Sequence, residues 1–317
     1  MSQEDEEPYT NVHRAFLQAF LARSTLTFDE AKPILAAVLT AHEGRETLPN
    51  DITESDFTTY ISTINTSISP FDFEIRSSLS QTTRERIYAI VNTTSDPITQ
   101  LATTHTADEI AYLKRVLDAI FETYNTDRHE VMAITSMQAL RLHKGASGAR
   151  DSGVGGDTQS TSTSAGLTMA QAERMLKSLV DEGWFELSRK GYYSLSPRAF
   201  MELRGWLLDT YNEPMDEDEE AGRVERIKLC RGCKEIVSVG QRCPNQECPC
   251  RLHYHCTRNI FRVEKAERCP LCKVAWTDDH PVGEKASKGA ERRSRTTAGS
   301  SRRTTMRTED GDESTEE

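Results

Sequence analysis

The chain has 317 residues, enough for about two domains of ordinary size. Its apolar share, 36% or about 41% with the 17 glycines added, is below the roughly 45–50% of a fully folded chain, so part of it is expected to be linker or tail. The net charge of −11 excludes a protein whose whole surface binds phosphate, and no apolar run is long enough for a membrane-spanning helix. The acidic start, Met1 to Glu7, lacks the apolar core of a secretory signal, so we expect a reducing compartment, the cytosol or the nucleus.

Residues 9–97 carry the first copy of an order of elements that occurs twice. The predicted elements are a helix around Phe16 and Phe20, a helix from Thr27 to Leu39, a helix from Thr53 to Pro70, and two strands, Phe71 to Ile75 and Ile87 to Val91. Thr27 and Glu30 form a capping-box pattern at the start of the second helix. Pro33 lies beyond the first turn counted from Thr27, which predicts either a kink or a start nearer Lys32.

Residues 98–212 carry the second copy. The predicted elements are a helix capped by Thr106 and Glu109, a short helix from Ser136 to Leu142, a helix capped by Thr168 and Gln171, strands at Trp184 to Leu187 and Tyr192 to Leu195, and a closing helix that Pro197 opens. The segment 145–166 has almost no apolar side chain and is predicted to be a flexible insertion. Three helices followed by a two-stranded hairpin is the winged-helix plan, and it occurs in both copies.

Winged helices often read DNA with their third helix, but the charges here do not favour that use. The third helix of the first copy contains Glu54 and Asp56 and no lysine or arginine. The corresponding helix of the second copy has Arg174 and Lys177 beside acidic residues, and its wing adds Arg189–Lys190. An ordinary solvent-exposed face is one interpretation of that second helix. As a function, contact with other proteins is favoured over sequence-specific DNA reading.

All eight cysteines lie in the block 228–280, behind an acidic hinge at residues 213–227. In a chain from a reducing compartment such a cluster indicates metal binding rather than disulfides. Seven cysteines and one histidine supply eight ligands, the number that two tetrahedral zinc ions need. The predicted ligands are Cys230, Cys233, Cys243, Cys248, His253, Cys256, Cys269 and Cys272. Closed sets of four leave no open position, so both zinc ions are predicted to be structural.

Two potential ligands in the block are left over. Cys250 is predicted to be a packed free thiol, because choosing Cys248 keeps an uninterrupted spacing to His253. His255 is predicted to be exposed or packed without metal.

Two kinds of zinc finger use such a row of ligands, the RING finger and the PHD finger. A PHD finger usually has an aromatic residue two positions before the final cysteine pair, where this chain has Glu267. RING ligases favour a proline after the seventh ligand, and Pro270 follows Cys269 here. The RING interpretation is therefore favoured. It predicts interleaved sites, with Cys230, Cys233, His253 and Cys256 at one ion and Cys243, Cys248, Cys269 and Cys272 at the other.

The segments Val12 to Phe20 and Asp29 to Leu35 resemble the family of the RING-bearing non-Smc element one, a subunit of the Smc five–six chromosome-maintenance complex. Tandem winged helices, histidine in the fifth ligand place and Trp276 after the last ligand fit the same family over about residues 9–280. The fold class expected is α+β, mainly helical, with tandem winged-helix domains and a small two-zinc RING-like finger. The resemblance implies a nuclear RING-type ubiquitin ligase in DNA repair and recombination. It also implies a melanoma-antigen-like and a kleisin subunit as partners.

RING ligases have no covalent catalytic residue, because they act by holding a ubiquitin-charged conjugating enzyme in a reactive geometry. The conjugating-enzyme surface implied by the family motif consists of Arg231, Gly232, Phe261, Pro270 and Leu271, with Lys273 hydrogen-bonded to ubiquitin. Active RINGs usually carry an aliphatic residue inside the first cysteine pair, and this chain does not. Activity is therefore expected to be weak without a partner. A non-catalytic, zinc-stabilised adaptor and a PHD-like chromatin reader with DNA-binding wings remain alternatives.

Two expectations concern partners. The winged-helix pair is expected to carry the main interface with the melanoma-antigen-like subunit, with Phe16, Phe20 and Phe57 as candidate anchors. Residues 281–317 are expected to be a disordered tail. Its basic part, Lys285 to Arg307, is either a solubilising extension or an arm for nuclear import or weak, non-specific DNA contact.

Overall fold

The computed structural model describes residues 9–93, 104–145, 166–212 and 225–287. Several predictions therefore lie outside the described residues: most of the insertion at 145–166, most of the hinge at 213–227, the tail from residue 288 onward, and the boundary between residues 97 and 98. Within the described ranges, no helix has the length and hydropathy that crossing a bilayer requires.

The first domain consists of three helices and a three-stranded antiparallel sheet. Its elements are α1 (Asn11–Ala22), β1 (Leu26–Thr27), α2 (Phe28–Glu43), α3 (Glu54–Ile68), β2 (Phe73–Leu79) and β3 (Arg86–Asn92). Strand β3 lies between β1 and β2, with Ile75 opposite Ile90 and Leu26 opposite Tyr88. The apolar faces of the helices pack with Ile75 of the sheet into one buried core.

The capping box decides where α2 begins. Thr27 Oγ1 accepts a hydrogen bond from the Glu30 N–H at 3.3 Å, and Glu30 Oε2 accepts one from the Thr27 N–H at 2.8 Å. The helix therefore begins at Phe28 and contains Pro33. The alternative start near Lys32 is wrong, because the cap already satisfies N–H groups that would otherwise be unpaired ahead of the proline.

The strands differ from the prediction in two respects. Strand β2 begins at Phe73 instead of Phe71, because Pro70 opens a short 3-10 turn that ends at Phe71. No sequence pattern indicates β1, since a strand of two residues is too short to show alternation. The same is true of its counterpart in the second domain, Ile134–Thr135.

The second domain repeats the plan of the first and adds a helix. Its elements are α4 (Ala107–Asp118), a π-helical turn (Ala119–Thr123), β4 (Ile134–Thr135), α5 (Ser136–Arg141), α6 (Met169–Asp181), β5 (Phe185–Leu187), β6 (Tyr192–Leu195) and α7 (Pro197–Tyr211). The sheet order is β4-β6-β5, as the first sheet has β1-β3-β2. Both domains thus have the order helix, strand, helix, helix and hairpin that a winged helix requires.

The cysteine block forms a third, smaller sheet with one helix. Its elements are β7 (Gly240–Arg242), β8 (Arg251–Leu252), α8 (Tyr254–Glu264) and β9 (Pro281–Val282). The predicted boundary at residue 280 is wrong, because β9 pairs with β7 and Val282 is buried. Order continues from there to Ser287, the last residue described.

The molecule has two large buried cores for its three folded parts. The first domain has its own core, whereas a continuous core runs from the second domain into the cysteine block. Hydrogen bonds from two asparagine side chains to the backbone join these last two parts. Asn212 Nδ2 donates to the Ile227 carbonyl at 3.0 Å, and its Oδ1 accepts the Ile227 N–H at 2.9 Å. Asn125 Nδ2 donates to the Arg226 carbonyl at 2.7 Å. The cysteine block therefore sits in a fixed position against the second domain.

Candidate metal centre

The structure brings the eight predicted ligand residues together in two groups of four. One group is Cys230, Cys233, His253 and Cys256, and the other is Cys243, Cys248, Cys269 and Cys272. The ligand atoms of each group all lie within 4.8 Å of one another. Sets of four thiols, or three thiols and an imidazole, are the donors that structural zinc takes. The residues present thus fit two zinc ions, in the interleaved pairing.

Both Cys-x-x-Cys pairs lie on turns with the same hydrogen bonds. In the first turn, the Cys230 N–H donates to the Glu235 carbonyl at 2.8 Å, and the Cys230 carbonyl accepts the Lys234 N–H at 2.9 Å. The equivalent bonds of the second turn, around Cys269 and Lys273, are 2.8 and 3.0 Å long. Lys234 and Lys273 have φ angles of 66° and 59°, the left-handed conformation that closes each turn. The repeated turn directs both sulfurs of a pair toward one point.

His253 is oriented as a metal ligand by its second ring nitrogen. Its Nε2 lies 3.1 Å from the Ile236 carbonyl, which can only accept a hydrogen bond. The ring proton therefore belongs on Nε2, and Nδ1 presents a lone pair. Nδ1 lies 3.2 Å from Cys233 Sγ and 3.9 Å from Cys256 Sγ. A backbone carbonyl behind a histidine ligand is the usual arrangement at zinc sites.

The ligand thiols differ in how readily they lose a proton. A backbone hydrogen bond from Val274 lowers the pKa of Cys272 to about 7, which favours the thiolate that binds metal. Burial raises the pKa of Cys256 to about 11. A zinc ion would therefore displace protons when it binds, which couples metal affinity to pH.

Cys250 and His255, the two potential ligands outside the predicted sets, are both packed and belong to neither group. Cys250 is fully buried, and burial raises the pKa of its thiol. The ring of His255 stacks on that of His253, with 5.1 Å between centroids. Burial and the neighbouring His253 lower the pKa of His255, which keeps this ring neutral.

The first domain holds the backbone beside His253 through one glutamine at the tip of its hairpin. Gln81 Nε2 donates to the Ile236 carbonyl at 2.9 Å, the same carbonyl that the His253 ring uses. Gln81 Oε1 accepts the N–H groups of Ser238 and Val239 at 3.0 and 2.8 Å. We call this set of contacts the Gln81 clamp. Sequence reasoning missed it, because a turn glutamine carries no signal of its partner.

A buried ion cluster holds the second domain against the metal block. Arg251 Nε donates to Glu130 Oε2 at 2.7 Å, and Lys228 Nζ donates to Glu130 Oε1 at 2.9 Å. Glu130 and Arg251 are 4% and 1% exposed. Burial raises the pKa of Glu130, but the hydrogen bonds and charges of Arg251 and Lys228 outweigh it, so this pKa is lower than usual. The carboxylate is therefore charged and paired at neutral pH.

The residues implied as a conjugating-enzyme surface do not all lie together. Arg231 and Gly232 are exposed, and a Cβ at Gly232 would come within 3.5 Å of Ile260 Cδ1 on α8. Phe261 instead packs edge to face on Trp276, with 5.8 Å between ring centroids. On a helix, adjacent positions point about 100° apart, which separates Phe261 from Gly232.

The other residues implied for the conjugating-enzyme surface, Pro270, Leu271 and Lys273, are at least partly accessible. Leu271 is 37% exposed and Pro270 is half-buried, on the second Cys-x-x-Cys turn. Lys273 is exposed, and its Nζ lies 4.0 Å from Glu264 Oε1. The structure therefore offers Ile260 in place of Phe261 as the apolar residue between the two turns.

Two helix-and-hairpin domains joined to an interleaved two-metal module define a RING-like zinc protein. Residues 230–272 match the family described as a RING-like domain. Residues 13–203, more than half of the chain, match the family described as the Nse1 non-SMC component of the SMC5-6 complex. The chain belongs to this Nse1 family.

Curated relatives agree with this assignment over most of the chain. The chain is 23% identical over 272 residues to the human homolog of non-structural maintenance of chromosomes element 1, covering 86% of each protein. It is 21% identical over 283 residues to element 1 of Schizosaccharomyces pombe, covering 89% of this chain and 99% of that one. A chain in the solved structure titled Nse1-Nse3-Nse4 complex shares the fold, with a TM-score of 0.63 at 21% identity. That alignment covers 86% of this chain and 99% of the solved one.

Proposed function

We propose that this protein is a RING-type ubiquitin ligase subunit of the Smc five–six complex, acting in the nucleus in DNA repair and recombination. The observation that supports the proposal is the interleaved pair of four-ligand groups in a chain of the Nse1 family. A ligase of this type binds a ubiquitin-charged conjugating enzyme and holds the reacting groups together, so its contribution is one of positioning.

The metal would supply stability to this surface. When bound, the two zinc ions would contribute folding energy to a segment with little core of its own. Four protein ligands at each ion leave no position for a substrate, so the role of the zinc would be structural. The chain's own residues do the rest. The two Cys-x-x-Cys turns hold Gly232 and Leu271 at the surface, and α8 places Ile260 beside Gly232. Lys273 is exposed two residues after Leu271, with its Nζ 4.0 Å from Glu264 Oε1, and would hydrogen-bond to ubiquitin.

The first turn explains why activity alone is expected to be weak. Gly232 offers no side chain where active RINGs usually present an aliphatic one. A Cβ added there would lie 3.1 Å from Cys256 Cβ, a tight contact against a predicted ligand. The surface is thus less apolar than in a strong ligase, and a partner subunit would supply the missing contact.

Autoubiquitination of the full chain tests the proposal, using a panel of conjugating enzymes with and without the melanoma-antigen-like subunit. Leu271→Asp should lower ubiquitin transfer at least ten-fold, because a charge replaces an apolar contact. Met169→Asp is the matched control, since Met169 is equally apolar, 55% exposed and on α6 in the second domain. Absence of transfer under every condition, with zinc retained, would support the non-catalytic adaptor instead.

We also propose that the melanoma-antigen-like and kleisin subunits are the partners, with the main contact to the former on the two helix-and-hairpin domains. A chain of the same fold occurs in a solved assembly titled Nse1-Nse3-Nse4 complex, which supports partnership with two other subunits. The candidate anchors Phe16, Phe20 and Phe57 are wrong, because each is at most 1% exposed. They fill the core of the first domain, with the Phe16 and Phe57 rings 5.9 Å apart.

Phe71 replaces them as the proposed anchor, because it is 71% exposed at the end of the short turn after α3. In co-purification of the full chain with the melanoma-antigen-like subunit, Phe71→Asp should weaken capture and Leu271→Asp should not. The reverse result would place the interface on the metal block. The full chain is needed, because the metal block shares its core with the second domain.

A further inference from the structure

Helix α8 has two faces of different chemistry. Cys256 and Ile260 lie on the face toward Gly232, four residues apart. Tyr254 and Phe261 lie on a different face, seven residues apart and so two helical turns along one line. That second face forms one wall of a cleft of about 930 Å³, whose other walls include the buried Trp276 and the hairpin tip of the first domain.

The cleft is basic in an acidic chain. Five of the residues that line it are positively charged and exposed: Arg84, Arg258, Arg262, Lys265 and Lys285. Two are acidic, Glu267 and Asp278. None of the five cations forms an ion pair with another residue in the described part of the chain. A protein of net charge −11 thus gathers unpaired positive charge at one place.

Aromatic rings lie among these charges. Tyr254 and Phe261 are half-buried, so part of each ring faces the cleft. Trp276, which also lines the cleft, packs edge to face against Phe261. Lys285 Nζ lies over one face of the Tyr254 ring, 4.9 Å from its centroid, in a cation–π contact. Rings held rigid between cations are the combination that binds unpaired bases and their phosphates.

We propose that this basic–aromatic cleft binds single-stranded nucleic acid. Bases would stack on Tyr254 and Phe261, and phosphates would contact Arg258, Arg262 and Lys265. Stacking requires unpaired bases, which favours a single strand over a duplex. The sequence after Lys285 supports this ligand, since it carries seven more lysines and arginines and one acidic residue up to position 307. Positive charge thus continues along the chain from the cleft.

This site goes beyond the proposed ligase function and is independent of it. Gly232, Ile260, Leu271 and Lys273 do not line the cleft, so a conjugating enzyme and a nucleic acid would not compete for the same side chains. Loss of nucleic-acid binding would leave ubiquitin transfer unaffected, and loss of transfer would leave binding unaffected. The two proposals can therefore fail separately.

Fluorescence anisotropy of the zinc-loaded full chain with a labelled 20-nucleotide oligothymidine tests the charges. Arg258→Glu with Arg262→Glu should weaken binding at least ten-fold. The plot of the logarithm of the association constant against the logarithm of the salt concentration should also become shallower by about 1.4, because each phosphate contact on a single strand contributes about 0.7 to its slope. Arg14→Glu with Arg23→Glu is the matched control, since it changes the net charge equally at two exposed arginines in and just after α1. Equal binding by both double variants would overturn the proposal, because the cations of the cleft would then contribute no more than other exposed arginines.

A second variant tests the stacking. Tyr254→Leu keeps the charge and most of the volume, and should weaken oligothymidine binding about five-fold or more. Binding of an abasic oligonucleotide of the same length should not change, because it offers phosphates without bases. Oligouridine should behave as oligothymidine does. A polyglutamate peptide that binds as tightly as oligothymidine at the same salt would overturn the proposal in favour of an acidic protein partner. Zinc content and melting temperature confirm that each variant is folded.

Discussion

Cys248 and Cys250 are two residues apart and both buried, but of the two only Cys248 has three other potential ligands around its sulfur. We expect Cys248→Ser to lower the zinc content from two ions per chain to about one. It should also lower the melting temperature, because a structural zinc ion contributes about 10 kcal/mol or more to folding. Cys250→Ser should retain both ions. Zinc measured by atomic emission on the purified variants checks both, and the opposite pattern would exchange the roles of the two cysteines.

Glu130 is the residue whose loss should cost most outside the metal groups. Glu130→Gln leaves Arg251 buried without a counter-charge, and removing one partner of a buried pair costs about 3–5 kcal/mol. Urea unfolding should show that loss. The matched control is Glu130→Leu with Arg251→Met, which removes both charges and should recover part of the stability. A loss below about 1 kcal/mol for Glu130→Gln would mean that the pair is not desolvated.

The ligands could be predicted from sequence and this ion pair could not, for one physical reason. Each Cys-x-x-Cys pair is a local turn, so its spacing already specifies that two sulfurs converge. Glu130 and Arg251 are 121 residues apart, and nothing in either neighbourhood identifies the other. Phe261 shows a related limit. Its aromatic character is visible in the sequence, but whether it or Ile260 faces Gly232 depends on the rotation of α8.

Among the elements, the hairpin β2–β3 combines a predictable shape with an unpredictable contact. Alternating apolar residues and the turn between them indicate the hairpin, and capping boxes indicate most helix starts. The target of the hairpin tip is set by the tertiary arrangement. The tip of this hairpin reaches the backbone beside His253 through Gln81.

The Gln81 clamp should stabilise the metal group that contains His253. Gln81→Ala removes the donor to the Ile236 carbonyl and the acceptor of two N–H groups, each bond worth about 1 kcal/mol. Zinc release to a chelator should then show one faster phase for half of the metal. Gln81→Glu tests the donor alone, because it keeps the acceptor of the two N–H groups but sets a carboxylate oxygen against the Ile236 carbonyl, and it should also release zinc faster than the unmodified chain. Acceleration of both phases alike would indicate general loosening rather than a clamp.

At the scale of the whole molecule, the division into cores differs from the division into domains. Sequence composition suggested a metal finger separated from the rest by an acidic hinge. The structure instead packs Ile227, Val237 and Trp276 into the same core as Leu207 and Tyr211 of α7. Composition could not show this, because the apolar residues of the finger are few and their partners lie in another domain.

Removal of zinc should therefore unfold more than the metal block. After treatment with a chelator and a thiol reagent, hydrogen exchange should increase in residues 225–287 and also in α7, whose Leu207 and Tyr211 lose part of their packing. The first domain should stay protected, because Phe16, Phe20 and Phe57 pack in a core of their own. Exchange followed by mass spectrometry resolves the three parts within one chain. Unchanged protection of α7 in the metal-free chain would show that the finger unfolds alone, and that the shared core does not couple the two parts.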